Sequence, residues 1–179
     1  SRQNINKEDI EAVIETLRSD LITRGPKVTE FDQAVAVKVG ASYAVATSSA
    51  TGALHSACLA LGLTSGDWLW TVPNTFVASA NCGLFCGAKI DFVDIDPASR
   101  NISVQVLKDK LISARKFGFL PKVVVPVHFA GQPTEQEAIA DLAREFNFKI
   151  LEDASHSLGA FRQGEPVGSC RWSDITVFS

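Results

Sequence analysis

Two carboxylates and an imidazole directly follow one apolar stretch of the chain. Glu152, Asp153 and His156 come just after Ile150 and Leu151. In an open α/β sheet the carboxyl ends of parallel strands face the ligand crevice, so polar side chains at such a strand end are positioned for a bound molecule. A carboxylate in that place can pair with a protonated ring nitrogen of a cofactor and keep the ring charged. Asp153 is therefore the first candidate functional residue.

Other roles remain open for the same side chains. Asp153 can instead cap the turn that follows the strand, and His156 can be an ordinary loop histidine. A metal site built from Glu152, Asp153 and His156 is a further alternative. Because adjacent residues on a strand point to opposite faces, Glu152 is poorly aimed for such a site, and we predict no metal here.

The segment ATSSATG (residues 46–52) combines small hydroxyl residues with a glycine where a helix is predicted to begin. The first backbone N–H groups of a helix have no partner within it, so this place favours an anion, above all a phosphate. An ordinary Ser or Thr helix cap is the alternative. The segment is not a Walker loop, and the chain has no G-x-G-x-x-G fingerprint for a dinucleotide.

A third candidate segment is NTFV (residues 74–77), which follows an apolar run that ends at Pro73. The Phe76 ring can lie flat on a planar ligand at this sheet edge, or it can pack in the core. A phosphate site, a stacking ring, a carboxylate and an imidazole at one edge together fit a flat phosphorylated cofactor. Pyridoxal phosphate is a flat phosphorylated cofactor of this kind, and its pyridinium nitrogen needs an acidic partner such as a carboxylate.

Helical and extended patterns alternate along the chain and place these segments on a common sheet. Apolar spacing predicts helices within residues 7–17, 28–40, 54–61, 75–86, 104–114 and 139–146. Short apolar runs predict strands at residues 43–46, 68–72, 90–95, 122–127, 150–153 and 174–179. The alternation predicts a three-layer α/β fold, in which a mostly parallel sheet is covered by helices on both faces. We expect residues 1–179 to form one domain.

The composition excludes several classes of protein. Hydrophobic residues make up 46% of the chain and charged residues 21%, as in an ordinary globular α/β domain. A net charge of -3 provides no basic surface for nucleic acid, and no apolar run approaches the roughly 20 residues that span a bilayer. The four cysteines lack zinc-ligand spacing and are expected to pack as small hydrophobes. We expect a cytoplasmic enzyme domain and, because methionine is absent, part of a longer protein.

Six motifs resemble, in order, those of the DegT/DnrJ/EryC1/StrS family of nucleotide-sugar aminotransferases. They are SSATGAL (48–54), PNTFVA (73–78), FVDIDP (92–97), VHFAGQ (127–132), EDASH (152–156) and DITVFS (174–179). These enzymes use pyridoxal phosphate and have the aspartate aminotransferase-like architecture of fold type I, so residues 1–179 would form the large, cofactor-binding domain. Three segments are most similar to the members that aminate C4 in the pseudaminic acid pathway: GDWLWT (66–71), ANCGLFCG (80–87) and GSC (168–170).

The resemblance implies roles for residues at the matching positions. Phe76 would stack on the pyridine ring, Asp153 would pair with the ring nitrogen, and His156 would lie on the side of the ring hydroxyl. Thr51 and Gly52, at the start of a helix, would bind the cofactor phosphate. The Ser179 hydroxyl would add a further contact to it. Contacts with the sugar nucleotide would fall on Thr23, Gly25 and Asn74.

The resemblance also implies a lysine that this chain does not contain. In the family, the Schiff-base lysine lies five positions after the residue that matches Ser179, and a small C-terminal domain follows. We therefore expect residues 1–179 alone to be inactive. We expect the complete protein to be a homodimer that transfers an amino group from glutamate to C4 of a UDP-linked 4-keto-6-deoxy sugar. A sugar dehydratase, as in relatives with histidine in place of the lysine, and a non-catalytic homologue are the alternatives.

Overall fold

The computed structural model describes residues 3–23 and 25–179, and a five-stranded sheet lies at its centre. The strands are β1 (Trp68–Thr71), β2 (Lys89–Phe92), β3 (Val123–Val125), β4 (Lys149–Asp153), β5 (Phe161–Arg162), β6 (Glu165–Pro166) and β7 (Ile175–Val177). The central sheet has the order β2-β1-β3-β4-β7, and every neighbouring pair in it runs parallel. Strands β5 and β6 form a separate antiparallel hairpin. The predicted parallel sheet is thus confirmed.

Helices cover both faces of this sheet, as the alternation predicted. They are α1 (Lys7–Arg18), α2 (Pro26–Val39), α3 (Ala50–Ala60), α4 (Ala78–Phe85), α5 (Val104–Phe117) and α6 (Gln136–Phe146). Helices α5 and α6 pack with Trp70, Val124 and Ile150 on one face of the sheet. Helices α3 and α4 pack with Leu69 and Leu151 on the other face. Neighbouring residues of one strand belong to different cores because side chains alternate along a strand.

The side of the sheet to which new strands are added changes after β2. The chain first adds β2 on one side of β1, and it then adds β3, β4 and β7 on the other side. In open parallel sheets, ligands bind in the crevice outside the carboxyl ends of the strands, at such a switch point. The carboxyl ends of β1, β3 and β4 are therefore where a site is expected.

Helix α1 begins at Lys7, as the sequence predicted, and the structure adds a capping box at its start. The Asn6 side chain accepts a hydrogen bond from the Asp9 N–H, and the Asp9 carboxylate accepts one from the Asn6 N–H, both at 2.9 Å. This reciprocal pair satisfies N–H groups that the helix itself leaves free. The apolar side of the helix, which includes Ile10, Val13 and Leu17, is exposed in the described structure.

The predicted strand at residues 43–46 is wrong. The segment pairs with no strand in the described ranges, and Tyr43 is 89% exposed. The Ala46 N–H donates instead to the Asp32 carboxylate at 2.7 Å. An apolar run becomes a strand only when a neighbouring strand exchanges hydrogen bonds with it, and apolar spacing does not reveal that neighbour.

The boundaries of several elements differ from the prediction, and one hairpin was missed. Helix α4 begins three residues later than predicted, because the chain after β1 first turns through residues 74–77. Strand β2 ends three residues early, at Phe92. The β5–β6 hairpin turns at Gln163 and Gly164, which have φ values of 49° and 82°. Two positive φ values match the twist of paired strands, so a Gln-Gly pair could have indicated this turn.

Cysteine side chains pack in the core between α3 and α4. Cys58 and Cys82 are buried free thiols. The adjacent Cys82 thiol, and after it burial, raise the pKa of the Cys58 thiol well above its ordinary range, so Cys58 stays neutral.

Within residues 3–23 and 25–179, no group of three His, Cys, Asp or Glu side chains is arranged to hold a metal ion. The helices in those ranges are all too short or too polar to cross a membrane.

Candidate active site

A cavity of about 840 Å³ lies at the carboxyl ends of β1, β3 and β4, next to the N-terminus of α3. It brings together residues from all the segments that carried chemical signals in the sequence. The predicted site residues that line it are Thr51, Asn74, Phe76, Asp153, His156 and Ser179. The predicted residues outside its lining are Thr23, Gly25 and Gly52.

Asp153 is buried at the end of β4, and both of its carboxylate oxygens are held. Ser79 Oγ donates to Oδ2 at 2.6 Å, and Ser155 Oγ donates to Oδ1 at 2.7 Å. The Ser155 N–H also donates to Oδ1 at 3.2 Å, so the turn-capping role that the sequence left open is present. Thr75 Oγ1 lies 2.8 Å from Ser79 Oγ and extends the network toward β1. These bonds fix a carboxylate in the cavity wall.

The N-terminus of α3 forms another part of the wall. Ser49 caps the helix by accepting a hydrogen bond from the Gly52 N–H at 3.1 Å. Ala50 and Thr51 follow the cap and line the cavity. The N–H groups of a first helical turn lack acceptors within the helix, and the helix dipole adds partial positive charge there. The ordinary cap is thus present, and it leaves a helix end that suits an anion.

Gly52 lies in the first turn of α3, and it is not among the residues that line the cavity. A methyl group at this position would lie 3.6 Å from Ser49 Oγ and 3.8 Å from Ser48 Oγ, which is ordinary van der Waals contact. Nothing in the packing of the described chain therefore requires glycine here.

Phe76 presents its ring to the cavity. The residue is 72% exposed, so it does not pack in the core of the described structure. An apolar ring exposed in a cavity offers a flat surface to a planar ligand. Asn74, on the same turn, donates from Nδ2 to the Arg100 carbonyl at 2.8 Å and so joins the end of β1 to the loop before α5.

His156 and Ser179 complete the lining from two neighbouring strands. His156 is exposed on the loop after β4, and Ser179 is exposed just beyond β7. The backbone of His156 lies against a short 3-10 turn, Phe129–Gly131. A Cβ at Gly131 would come within 2.8 Å of the His156 carbonyl oxygen, so only glycine permits this approach.

Thr23 and Gly25 lie at the start of α2, away from the cavity lining. Gly25 caps that helix and Pro26 is its first residue. A Cβ at Gly25 would lie 2.5 Å from the Leu21 carbonyl oxygen, so backbone packing accounts for the glycine. Arg24 lies outside the described residues. A substrate role for this segment stays a prediction.

Glu152 belongs to a buried polar cluster that sequence reasoning missed. Its carboxylate accepts hydrogen bonds from Gln136 Nε2 at 2.5 Å, Thr176 Oγ1 at 2.8 Å and Ser173 Oγ at 3.0 Å. His128 Nε2 lies 3.5 Å from Oε1. Burial raises the pKa of the Glu152 carboxyl, but His128, Gln136 and Thr176 outweigh it and hold the pKa below its ordinary value. The cluster joins the ends of β3, β4 and β7, and the Glu152 side chain points to the opposite face of the sheet from Asp153.

Comparison with known proteins identifies the family. The profile of the DegT/DnrJ/EryC1/StrS aminotransferase family matches residues 3–179. The chain belongs to this family. The UDP-4-amino-4,6-dideoxy-N-acetyl-beta-L-altrosamine transaminase of Campylobacter jejuni (strain 81-176) is 38% identical over 180 residues, which cover 100% of this chain and 46% of that protein. This DegT/DnrJ/EryC1/StrS chain thus spans less than half the length of that relative.

Solved structures of other aminotransferases have the same fold as this DegT/DnrJ/EryC1/StrS chain. Helicobacter pylori PseC, an aminotransferase involved in the biosynthesis of pseudoaminic acid, superposes with a TM-score of 0.89 at 33% identity over 98% of this chain and 46% of its own. The PLP form of Spr1654 from Streptococcus pneumoniae superposes with a TM-score of 0.85 at 27% identity over 98% of this chain and 47% of its own. The expected fold type I architecture is confirmed.

Proposed function

We propose that the complete protein is a pyridoxal phosphate-dependent aminotransferase that acts on a nucleotide sugar. The observation that carries the proposal is the cavity in which the α3 N-terminus, the exposed Phe76 ring and the Asp153 carboxylate meet. Family membership supports the reaction class. When bound, pyridoxal phosphate would act as the electron sink for the carbon that loses or gains the amino group.

The chain's own residues fit the cofactor in shape and charge. The first turn of α3, with Thr51, would hold the phosphate, and the exposed Ser179 hydroxyl would add a hydrogen bond. Phe76 would cover one face of the pyridine ring. Asp153 would accept a hydrogen bond from the protonated ring nitrogen, and His156 would lie on the side of the ring hydroxyl. Ser79 and Ser155 would keep the carboxylate oriented, with no rearrangement needed on binding.

We further propose that the amino acceptor is the C4 keto carbon of a UDP-linked 4-keto-6-deoxy sugar, with glutamate as donor. The keto oxygen is exchanged for an amino group, and glutamate leaves as 2-oxoglutarate. The transaminase activity of the Campylobacter relative and the involvement of PseC in pseudoaminic acid biosynthesis support a pathway of this type. Asn74, beside Phe76, would contact the substrate, and the segment around Thr23 and Gly25 would contribute in the complete protein.

The proposal extends to the organisation of the complete protein. Residues 1–179 would form the cofactor-binding large domain, followed by a lysine five positions after Ser179 and by a smaller domain. We propose a cytoplasmic homodimer with the cofactor sites at the subunit interface. Residues 1–179 by themselves would bind the cofactor weakly and would not turn over.

The test uses the full-length protein, saturated with pyridoxal phosphate and supplied with glutamate and a UDP-linked 4-keto-6-deoxy sugar. Mass spectrometry is expected to find the keto group replaced by an amino group, together with one equivalent of 2-oxoglutarate. Loss of water from the sugar without consumption of glutamate would instead indicate a dehydratase. If the protein shows no visible absorbance from bound cofactor, the catalytic proposal is wrong.

Replacing Phe76 by Ala is expected to weaken cofactor binding about tenfold and to leave the stability of the cofactor-free protein within about 0.5 kcal/mol. The ring is 72% exposed, so its removal opens no cavity in the core. Phe117→Ala is the matched control, because Phe117 is 75% exposed at the end of α5 and does not line the cavity. Cofactor titration and urea unfolding measure the two effects. A loss of stability without a loss of affinity would contradict the stacking role.

Replacing Gly52 by Ala is expected to weaken binding of pyridoxal phosphate about tenfold, because a methyl group would crowd a phosphate at the first turn of α3. Protein stability is expected to stay the same or to rise by up to about 1 kcal/mol, since Ala is the better helix former. Pyridoxal without its phosphate provides the control ligand. Equal loss of affinity for both ligands would show that Gly52 does not lie near the phosphate.

A further inference from the structure

The loop between β2 and α5 holds one wall of the cavity through a single buried amide. Asn101 is 4% exposed, and its Nδ2 donates to the carbonyl oxygens of Gln132 and Pro133, each at 3.1 Å. Its Oδ1 accepts a hydrogen bond from the Phe129 N–H at 2.9 Å. The Asn101 side chain thus binds the main chain at both ends of the 3-10 turn Phe129–Gly131.

That turn has a backbone conformation that needs support. Ala130 has φ 52° and ψ 26°, in the left-handed region that residues with a Cβ seldom adopt. Gly131 follows with φ 86°. Conformations of this kind persist where the surrounding structure holds them, and they occur often at ligand sites. Here the hydrogen bonds of Asn101 supply that support.

The turn also contacts a predicted cofactor residue. Phe129, Ala130 and His156 all line the cavity. The position of a Cβ on Gly131 would be 2.8 Å from the His156 carbonyl oxygen, so the turn and the His156 backbone lie in direct contact. Any outward or inward movement of the turn therefore changes the place of His156.

We propose that Asn101 is a positioning residue, which fixes the Phe129–Gly131 turn and, through the contact of Gly131, sets the position of His156 in the cavity. The identity of the ligand in that cavity rests on the proposed function. A second tether from the same loop supports the assignment, because the Arg100 carbonyl accepts the hydrogen bond from Asn74 Nδ2 at 2.8 Å. Adjacent residues of one loop thus hold two walls of the cavity.

The first test replaces Asn101 by Asp in the full-length protein. This change keeps the side-chain volume and the acceptor for Phe129, but it turns an oxygen toward the carbonyl oxygens of Gln132 and Pro133. Affinity for pyridoxal phosphate is expected to fall about tenfold. Asn147→Asp is the matched control, since Asn147 is exposed at the end of α6 and Asp tolerates its left-handed conformation. The control is expected to bind the cofactor normally.

The second test acts on the turn without changing Asn101. Gly131→Ala forces a methyl group against the His156 carbonyl, whereas Gly118→Ala places one at φ 76° with no atom within 4 Å. Both variants have the same type of backbone strain, but only Gly131→Ala is expected to lower cofactor affinity. This variant keeps the proposal testable if Asn101→Asp does not fold.

Amide hydrogen exchange of the cofactor-free, full-length protein provides a readout that is independent of cofactor binding. In Asn101→Asp and Gly131→Ala, amides of residues 129–132 and 154–158 are expected to exchange about tenfold faster than in the wild type, and those of β1 to be unchanged. Wild-type exchange at residues 154–158 in both variants would overturn the proposal, as would equal effects in the two controls. If the wild type binds no pyridoxal phosphate, the proposed function fails, and the exchange data alone decide the role of Asn101.

Discussion

Replacing Asp153 by Asn in the full-length protein is expected to lower transamination by about 100- to 1000-fold, the scale on which loss of one preorganised electrostatic group acts. The variant keeps the shape of the side chain but loses the negative charge that would keep the cofactor ring nitrogen protonated. Steady-state turnover with glutamate and the keto sugar measures the effect. The absorbance of bound cofactor shows whether binding or the reaction has been lost.

A structural role of Asp153 must be separated from this chemical role. Its carboxylate accepts hydrogen bonds from Ser79 and Ser155, so a change at this position also disturbs the end of β4. Urea unfolding of the variant measures that disturbance directly. Asp141→Asn serves as the control, because Asp141 is an exposed residue of α6 that pairs with Arg144 on the same helix surface. Near-normal turnover by Asp153→Asn would exclude Asp153 as the partner of the ring nitrogen.

Replacing Glu152 by Ala is expected to cost about 3–5 kcal/mol of folding free energy, as when one partner of a buried charged cluster is removed. The change leaves Gln136, Ser173 and Thr176 without their shared acceptor. Chemical unfolding at neutral pH measures the loss. Glu145→Ala is the control, because Glu145 is exposed and its pairing with Arg115 is expected to contribute less than about 1 kcal/mol.

The conservative variant Glu152→Gln adds a pH dependence to this prediction. The folded-state pKa of Glu152 is depressed below its ordinary value of 4.5, so its carboxylate contributes stability that is fully present above that value. This contribution is lost as the pH falls through the folded-state pKa. The stability difference between wild type and Glu152→Gln is therefore expected to be present at neutral pH and to shrink as the pH falls below about 4.5. A difference that is independent of pH down to pH 3 would contradict the charged role of Glu152.

Local sequence patterns predicted the layers of the fold because each strand of a parallel sheet is buried on both faces and is therefore apolar along its length. Ile150 and Leu151 are both apolar and pack in opposite cores, which is the sign of a strand covered on both sides. The same reasoning failed at residues 43–46, where strand formation depends on a neighbour that the pattern cannot reveal. Helix α4 began late for a related reason, since the turn that presents Phe76 to the cavity replaces its first predicted turn.

The sequence predicted those residues of the candidate site that lie at the end of a strand or at the start of a helix. Asp153, Phe76 and Thr51 met these conditions and line one cavity. The side chains that hold the site in place were not predictable, because each acts on a distant segment. Ser79 donates a hydrogen bond to the Asp153 carboxylate, 74 residues away in the chain. The Asn101 side chain forms hydrogen bonds with main-chain atoms that lie 28 to 32 residues away. Neither has a local pattern that distinguishes it from an ordinary Ser or Asn.

The two edges of the central sheet differ in charge, and this difference affects how residues 1–179 behave when they are produced alone. Edge strand β2 carries Lys89 and Asp91, and charged side chains of this kind discourage another strand from adding to an edge. At the opposite edge, β7 presents only Ile175, Thr176 and Val177, and in the described ranges it pairs on one side alone. An uncharged, open edge templates further strand addition, so residues 1–179 produced alone are expected to aggregate. The apparent mass of such a preparation would report adhesion between edges rather than the assembly state of the complete protein.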